Sequence, residues 1–432
     1  MLALSADAVV VGAGVMGASI ALELARSGRR VVVVDKAGGI GHGSTSASSA
    51  VVRFNYSTWA GVATSWEARS HWVHWREHLG VPAGTDGLAR LVPCGLALLD
   101  VDVLPRDRFL PSFDRAGVPY EEWDAAGLAR RVPGLDPGRH WPPRRLSDER
   151  FWAEPEASLG AVFTPDAGYV TDPQLAAANL ADAARRLGAE FRLRRTVTAI
   201  DRTGDRVRAV RLDDGSVIAT PVVVNAAGPW STRVNELAGV GGDFAVGLRP
   251  LRQEVHRVAA PPGWNGIALA DVDLGVYLRG DSGGGLLVGG TEPECDPLHW
   301  VDDPDAVDHR VTGAVFEAQV TRAARRLTGL SVPNRPSGVV GVYDVADDWT
   351  PVYDRTDLPG FFVAIGTSGN QFKNAPLVGA FLRALVDHAE DGKDHDTDPV
   401  HLRGPYTGAE IDLSAFSRLR PGGAGNSGTV MG

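Results

Sequence analysis

The chain has 432 residues, of which 44% are hydrophobic and 22% charged, and it carries a formal net charge of -10. This length allows two or more compact units, and the composition is typical of a globular protein rather than a disordered one. The acidic balance argues against a nucleic-acid partner, and no apolar run is long enough to cross a membrane. Two cysteines, Cys94 and Cys295, provide neither a disulfide framework nor a metal cluster, so we expect no bound metal. A predicted strand starts close to Met1, which leaves no room for a signal peptide and indicates a cytoplasmic protein.

The first motif lies between Asp7 and Asp35. An apolar run is followed by a glycine-rich turn, by a helix-like segment that ends at Gly28, and by a second apolar run. In such a unit the first glycine permits the tight turn, the second lets a pyrophosphate approach the backbone, and the third lets the helix pack closely on the strand. An acid at the end of the second strand stands where ribose hydroxyls bind. The pattern does not distinguish NAD from FAD, and the predicted dinucleotide-binding residues are Gly12, Gly14, Val15, Met16, Gly17, Asp35 and Lys36.

A loop rich in glycine and serine, Gly38–Ser49, follows this unit. It can donate many hydrogen bonds to a cofactor, or it can be a plain flexible connection. Arg53 stands in the apolar run after the loop. Because burying an unpaired guanidinium is very costly, Arg53 needs either an internal acid or a ligand anion as its partner. Residues Trp59–Leu79 then predict one amphipathic helix that ends at Gly80.

The middle of the chain alternates between strand and helix patterns. Strand pairs and short helical pieces in residues 89–150 indicate the first part of a separate domain. Asp172 and Pro173 are a typical N-cap and first helical residue, so a helix is predicted to run to Leu187. Residues 190–219 contain short apolar segments separated by tight turns, which predict a small β-meander. A further strand leads into NAAGPWS at Asn225–Ser231, where small residues permit close approach to a ligand.

Strand-like segments dominate residues 241–300 and predict a second, antiparallel sheet. A long helix is predicted for Pro304–Leu327, strands for 335–344 and 360–365, and a helix after the loop Gly366–Lys373. We expect residues 421–432 to be disordered, because glycine and serine dominate them.

Four motifs, taken in order, resemble those of the FAD-dependent amine and amino-acid oxidoreductases of the D-amino acid oxidase superfamily, nearest to its sarcosine oxidase and glycine oxidase branch. They are VVVGAGVMG at Val9–Gly17, TPDAGYVTDPQL from Thr164, NAAGPWS at Asn225–Ser231 and GTSGNQFKNAP at Gly366–Pro376. The resemblance extends to about Ser417 and favours FAD over NAD.

The resemblance implies an α/β fold with two discontinuous domains. The first is an FAD-binding Rossmann-like domain formed by residues 1–88, 151–240 and 335–420. The second is an α+β substrate domain, built on a mixed or antiparallel sheet, from residues 89–150 and 241–334.

The implied reaction is oxidation of the C–N bond of an amino acid or an N-substituted amino acid. A hydride passes from the carbon beside a neutral amine to the flavin, and the resulting imine hydrolyses. Oxygen or another compound then accepts the electrons. One alternative is an FAD-bearing subunit of a multi-chain amine dehydrogenase, which needs a partner chain or an acceptor other than oxygen. An NAD-dependent dehydrogenase is a third, disfavoured alternative, and the sequence gives neither the substrate side chain nor the oligomeric state.

The resemblance also implies four catalytic residues. Lys373, before a helix start, can stabilise charge on reduced flavin and hold a substrate carboxylate, or it can be a surface lysine. Arg53 aligns with a carboxylate-binding arginine whose planar guanidinium suits a bidentate clamp, although a structural ion pair is the alternative. Tyr277 and Tyr343 match positions of hydroxyls around the substrate, and each can equally be an ordinary half-buried sheet tyrosine.

The resemblance further implies cofactor contacts at Ser44, Thr45, Ser46, Val197, Ala227, Gly228, Trp230, Gly369, Asn370, Gln371, Phe372 and Lys373. Weaker candidates for the substrate cavity are Arg279, Arg252 and His256.

Three positions depart from the sarcosine oxidases. Gly341 stands where the enzymes with covalent flavin have a cysteine, so we expect non-covalent FAD. Leu287 stands in place of an oxygen-activating lysine, which leaves a dehydrogenase open. Thr291 replaces a histidine, which argues against sarcosine itself as the substrate.

Overall fold

The computed structural model describes residues 4–421 and 430–431. Within these residues the α-helices are α1 (Val15–Arg26), α2 (Trp59–Val73), α3 (Trp75–Leu79), α4 (Arg106–Ala116), α5 (Ala125–Arg131), α6 (Pro173–Arg186), α7 (Ser231–Ala238), α8 (Gly313–Arg326) and α9 (Ala375–Glu390). The strands are β1 (Leu4–Ser5), β2 (Ala8–Val11), β3 (Val31–Asp35), β4 (Val51–Val52), β5 (Leu91–Val92), β6 (Leu96–Leu99), β7 (Glu121–Trp123), β8 (Ala161–Thr164), β9 (Gly168–Val170), β10 (Glu190–Leu193), β11 (Val197–Thr203), β12 (Arg206–Leu212), β13 (Val217–Ala219), β14 (Val223–Asn225), β15 (Leu248–Ala259), β16 (Ala268–Asp271), β17 (Val276–Gly280), β18 (Gly285–Gly290), β19 (His299–Trp300), β20 (Gly338–Ala346), β21 (Val352–Arg355), β22 (Phe361–Ile365), β23 (His401–Arg403) and β24 (Glu410–Asp412).

A six-stranded sheet in the order β10–β3–β2–β14–β22–β21 carries the glycine turn. All strands from β10 to β22 are parallel, and only β21 at the edge is antiparallel to its neighbour. Because both faces of a parallel sheet are covered, its strands are continuous apolar runs, as in the valines of β2 and β3. The result is the predicted mixed α/β architecture.

Side chains of β2 alternate between two cores. Ala8 and Val10 face a core that includes Ile20 of α1, and α1 contacts both α6 and α9. Val9 and Val11 face a second core shared with the four-stranded sheet β1–β13–β12–β11. The six-stranded sheet therefore lies between a helical layer and a small β-layer.

A nine-stranded sheet forms the second large unit, in the order β19–β15–β18–β17–β16–β6–β8–β7, with β20 also paired to β15. It is mixed, because β16 and β6 run parallel while the other pairs are antiparallel. Helix α8 packs against β15, β17 and β18. At the end of α8, the buried Arg326 donates from Nε to Asp271 Oδ2 and from Nη2 to Asp273 Oδ2, each at 2.7 Å. This ion cluster fastens the helix to the sheet.

Two strands within the predicted FAD-binding segments pair with strands of the other predicted domain. Residues 161–164 and 338–346 form β8 and β20, which belong to the nine-stranded sheet. Conversely, β10, expected in the meander, pairs in parallel with β3. Local alternation of apolar residues predicts a strand, but it does not specify its partner.

Two predicted helices are too long. The helix expected over Trp59–Leu79 is broken at His74, whose φ of -101° and ψ of 40° are not helical. Only Gly313–Arg326 of the segment Pro304–Leu327 is α-helical. The residues before Gly313 are held by β15 instead, since Arg252 donates to the Asp308 and Arg310 carbonyls.

The predicted disordered tail is described only at Pro421, Val430 and Met431. Val430 and Met431 are buried, with 8% and 4% of their surface exposed, so the prediction does not hold for them. Residues 422–429 and Gly432 lie outside the described residues. Among the helices that the structure describes, none has the length and apolar character needed to cross a membrane.

Candidate cofactor and substrate site

A large cavity of about 830 Å³ lies where the carboxyl ends of the parallel strands approach the nine-stranded sheet. Its wall starts at the glycine turn after β2 and at Asp35, and it ends at Tyr277 of β17 and Tyr343 of β20. Ligands of open parallel sheets bind at this end of the strands.

The glycine turn is built for close approach. Gly12 has a φ of +110°, and a Cβ there would lie 2.3 Å from the Ala226 carbonyl oxygen. A Cβ on Gly17 would lie 1.9 Å from the Gly12 carbonyl oxygen, so only glycine lets α1 start against the strand. Gly14 precedes α1, and Thr45 Oγ1 accepts a hydrogen bond from the Val15 amide at 3.1 Å. The turn and the helix start together can face a phosphate.

Asp35 fixes the turn as well as facing the cavity. One carboxylate oxygen accepts from the Ala13 amide at 2.6 Å, and the other accepts from the Ala37 amide at 2.7 Å. The next residue, Lys36, pairs with Asp305 and lies 3.9 Å from the centre of the Trp230 ring.

The structure brings most of the predicted cofactor residues to this cavity. Those that line it are Gly12, Gly14, Val15, Met16, Asp35, Lys36, Ser44, Thr45, Val197, Ala227, Gly228, Trp230, Gly369, Asn370, Gln371, Phe372 and Lys373. Gly17 and Ser46 do not line it. Gly17 lies beneath the turn, while Ser46 is exposed and its hydroxyl donates to the Gly43 carbonyl at 3.0 Å.

Arg53 and Lys373 form a cationic pair at the other end of the cavity. Arg53 donates to the Asn55 carbonyl at 2.5 Å and to the Val430 carbonyl at 2.6 Å. Lys373 Nζ donates to the Asn370 carbonyl. Both cations face the ring of Tyr56, at 4.9 and 5.0 Å from its centre. Arg53 is 6% exposed and Lys373 2% exposed.

Neither cation has an anionic partner in the described part of the chain, since each donates only to carbonyl oxygens. Burial lowers the pKa of the Arg53 guanidinium. Burial, together with the positive charge of Arg53, holds the pKa of Lys373 well below its usual value. Of the two partners expected for Arg53, an internal acid or a ligand anion, the ligand anion remains, because no acid among the described residues pairs with Arg53.

Tyr277 and Tyr343 complete the wall near the cations. Tyr277 Oη and Ser49 Oγ share a hydrogen bond of 2.6 Å, and burial raises the pKa of Tyr277 to about 12. Burial also holds the pKa of Tyr343 well above its usual value. The Tyr343 ring packs on Gly369, where a Cβ would lie 2.2 Å from a ring carbon.

The three weaker candidates do not line the cavity. Arg279 donates to the Ser49 and Gly280 carbonyls, and Arg252 pairs with Glu254. His256 is fully buried against the ring of Phe316.

The sequence did not single out Glu292, Val430 or Trp72, although each contacts this region. Trp72 donates to the Lys373 carbonyl at 2.7 Å, and Val430 contacts both Arg53 and Glu292. These contacts join residues far apart in the chain, and no local pattern marks them.

The cavity fits a bound dinucleotide with a flavin. Its one end is the phosphate-facing turn, where the missing Cβ atoms leave the backbone accessible, and its other end holds the unpaired cations. A Cβ on Gly341 would lie 2.9 Å from Ala47 Cβ, so a longer side chain there would require the loop to move. Cys94 and Cys295 are not lining residues.

A parallel sheet with a glycine turn, an acid after the second strand and a long cavity define a dinucleotide-binding fold. The sequence matches the FAD dependent oxidoreductase family over residues 7–385, so the chain belongs to this family and is an FAD-binding oxidoreductase. The predicted resemblance is thereby confirmed.

Relatives of full length support this assignment. The chain is 27% identical to the glycine oxidase of Geobacillus kaustophilus (strain HTA426), over 90% of this chain and 94% of that protein. It is 26% identical to the hydrogen cyanide synthase subunit HcnC of Pseudomonas aeruginosa, over 88% of this chain and 92% of that protein. The crystal structure of L-proline dehydrogenase from P. horikoshii shares the fold, with a TM-score of 0.74, 21% identity and coverage of 97% and 98% of the two chains.

Proposed function

We propose that this chain oxidises the C–N bond of an amino acid or an N-substituted amino acid. FAD, when bound, supplies the two-electron acceptor for the hydrogen on the carbon beside the nitrogen. The chain's own residues supply a binding site for the substrate carboxylate and a cavity that orients the carbon beside the nitrogen.

The observation that carries this proposal is the buried pair Arg53 and Lys373 without a described anion. A buried cation is stable only when it is paired, because its loss of hydration is costly. Burial lowers the pKa of both groups, and no acid among the described residues offsets this effect. A ligand carboxylate would compensate it, and the planar guanidinium of Arg53 can bind both carboxylate oxygens.

The remaining roles are proposals of the same kind. Tyr277 and Tyr343 would enclose the substrate beside the flavin, and the residues from Gly369 to Lys373 would contact the flavin together with the glycine turn. We also propose that FAD is held non-covalently, since Gly341 replaces a cysteine, and that the protein is cytoplasmic.

The test is reduction of the bound flavin in the absence of oxygen. The purified holoprotein is mixed with a panel of amino acids, N-alkyl amino acids and the matching amines that lack a carboxylate. We expect bleaching of the flavin absorbance by carboxylated amines only. Arg53→Met should lower the second-order rate constant of flavin reduction by about 100-fold or more, because it removes a charge-assisted contact. Arg310→Met, at an exposed arginine paired with Asp308, is the matched control. A folded, FAD-loaded protein that no carboxylated amine reduces would rule the proposal out.

A second candidate is an FAD-bearing subunit that needs a partner chain or an acceptor other than oxygen. Leu287 in place of a lysine favours it, and one relative, HcnC, is described as a subunit. Rapid anaerobic flavin reduction followed by slow reoxidation in air, and fast reoxidation by an artificial acceptor, would support this candidate.

A further inference from the structure

Val430 lies between the side chain of Arg53, which lines the cavity, and that of Glu292, which does not. Its carbonyl oxygen accepts from Arg53 Nη2 at 2.6 Å, and its amide donates to Glu292 Oε2 at 3.3 Å. Val430 and Met431 both line the cavity and are buried. One residue therefore bridges the arginine and an acid.

Glu292 is a half-buried acid with a buried carboxyl oxygen, and the proposed function leaves it without a role. It follows β18, and its φ of +52° is uncommon for a residue with a side chain. Its Oε1 atom is buried and has no hydrogen-bond partner among the described residues. Burial raises the pKa of this carboxyl to about 8, and its charge in turn contributes to the raised pKa values of Tyr277 and Tyr343. Glu292 itself is not a lining residue of the cavity, and its carboxyl contacts the amide of Val430, which is one.

The spacing of the two contacts matches one class of ligand. In a peptide residue the nitrogen and the carbonyl carbon are bonded to the same Cα, as are the amine and the carboxylate of an α-amino acid. Arg53 and Glu292 are thus as far apart as the two polar groups of one α-amino acid require.

We propose that Arg53 and Glu292 form a two-point site for α-amino acids, in which Arg53 binds the carboxylate, Glu292 accepts a hydrogen bond from the amine, and Val430 occupies the site in their place. This inference rests on the proposed function and adds two parts to it: Glu292 as the acid that binds the amine, and Val430 as the residue that competes for the site. The free Oε1 atom can accept a second N–H, which the Val430 amide cannot provide. An amino acid and Val430 cannot occupy the site together, so binding requires that Val430 leave.

The experiment uses holoprotein reduced with dithionite under nitrogen, so that ligands bind without turnover. The probes are proline and tetrahydrofuran-2-carboxylate, which have the same shape but differ in an N–H that the ether oxygen lacks. A third probe, pyrrolidine-3-carboxylate, moves the amine one carbon away from the carboxylate. Dissociation constants are measured by calorimetry for the wild type, Glu292→Gln, and a variant that ends at Thr429. Glu294→Gln, at an exposed acid two residues away, is the matched control.

We expect the wild type to bind proline on the order of tenfold or more tightly than either of the other probes, because a site built to bind an N–H rejects an analogue without it. Glu292→Gln should lose most of this preference and keep its affinity for tetrahydrofuran-2-carboxylate, whereas Glu294→Gln should match the wild type. The variant that ends at Thr429 should bind proline and tetrahydrofuran-2-carboxylate several-fold more tightly than the wild type does.

An unchanged preference in folded Glu292→Gln, or no gain in affinity in the variant that ends at Thr429, would overturn the inference. If amino acids still bleach the flavin in that case, the proposed function stands while the two-point site does not. If tetrahydrofuran-2-carboxylate and pyrrolidine-3-carboxylate bind to the wild type as tightly as proline does, the site does not select α-amino acids.

Discussion

The indole N–H of Trp72 donates to the backbone carbonyl of Lys373 at 2.7 Å, and both residues are buried. Trp72 lies near the end of α2, whereas Lys373 lies in the short turn before α9. The contact ties the backbone that carries the cation to a helix 301 positions earlier in the chain. Lys373 is thus positioned from outside its own motif.

Replacing Trp72 by Phe should therefore shift the position of the Lys373 side chain without removing its amine. The variant leaves the Lys373 carbonyl buried without its donor, which we expect to cost about 1–3 kcal/mol of stability. We also expect KM for the amino acid that reduces the flavin to rise several-fold, while kcat changes less. Steady-state kinetics and thermal unfolding of the holoprotein measure both effects. Trp75→Phe is the control, because that indole stacks on Trp72 but donates to Asn179. Equal effects of the two variants on KM would argue against a positioning role.

Local patterns in the sequence predict the parts of the fold that depend on local geometry. The glycine turn, the acid Asp35 and the helix that begins after Asp172 are all found, since each reflects steric or capping requirements within a few residues. The break at His74 and the pairing of β20 with β15 are not predicted, because tertiary contacts decide them.

The same division holds for the site. Arg53 and Lys373 can be found because a buried charge in an apolar run, or a lysine before a helix, is unusual in a sequence. Glu292 and Val430 cannot, since an acid after a strand and a valine in a glycine-rich segment look ordinary until folding brings Val430 into contact with Arg53 and Glu292.

The lowered pKa of Lys373 predicts a pH dependence of ligand binding. Burial and the neighbouring Arg53 disfavour the charged amine in the free protein, whereas a bound carboxylate favours it. Binding of benzoate should then take up a proton, so its affinity should fall as pH rises above the lowered pKa, by up to about tenfold per pH unit. Lys373→Met should bind benzoate weakly and with little dependence on pH.

Burial raises the pKa of Glu292, which contacts the lining residue Val430, to about 8, whereas it raises the pKa of Tyr277 to about 12. The comparison is therefore made in the Glu292→Gln background, with and without Lys373→Met, by titrating the flavin absorbance with benzoate. A slope that persists without Lys373 would assign the proton to another group.

Gly17→Ala should prevent proper formation of the glycine turn. The added Cβ would lie 1.9 Å from the Gly12 carbonyl oxygen, which is backbone and cannot give way without shifting β2 or α1. We expect loss of bound FAD and a lower melting temperature even for apoprotein. Gly313→Ala is the control, because a Cβ there meets nothing within 4 Å. The ratio of absorbance at 450 and 280 nm and thermal unfolding report the two effects. A variant with full FAD and unchanged stability would show that the turn is less tight than described.

The cluster of Arg326, Asp271 and Asp273 predicts a stability effect remote from the cavity. All three side chains are fully buried, so Arg326→Met would leave two carboxyl groups without their cation, at a cost of about 3–5 kcal/mol.

Burial and the nearby Asp271 already raise the pKa of Asp273 to about 6, and removal of Arg326 should raise it further. A carboxyl with a raised folded-state pKa is least destabilising when protonated, so its penalty grows as pH rises through that pKa. The loss in Arg326→Met should therefore be larger at pH 8 than at pH 5. Urea unfolding at both pH values tests this. The control Arg310→Met, at an arginine whose side chain is 88% exposed, should change the free energy of unfolding by less than about 0.5 kcal/mol. An equal loss at both pH values would show that lost packing, rather than unpaired charge, destabilises the variant.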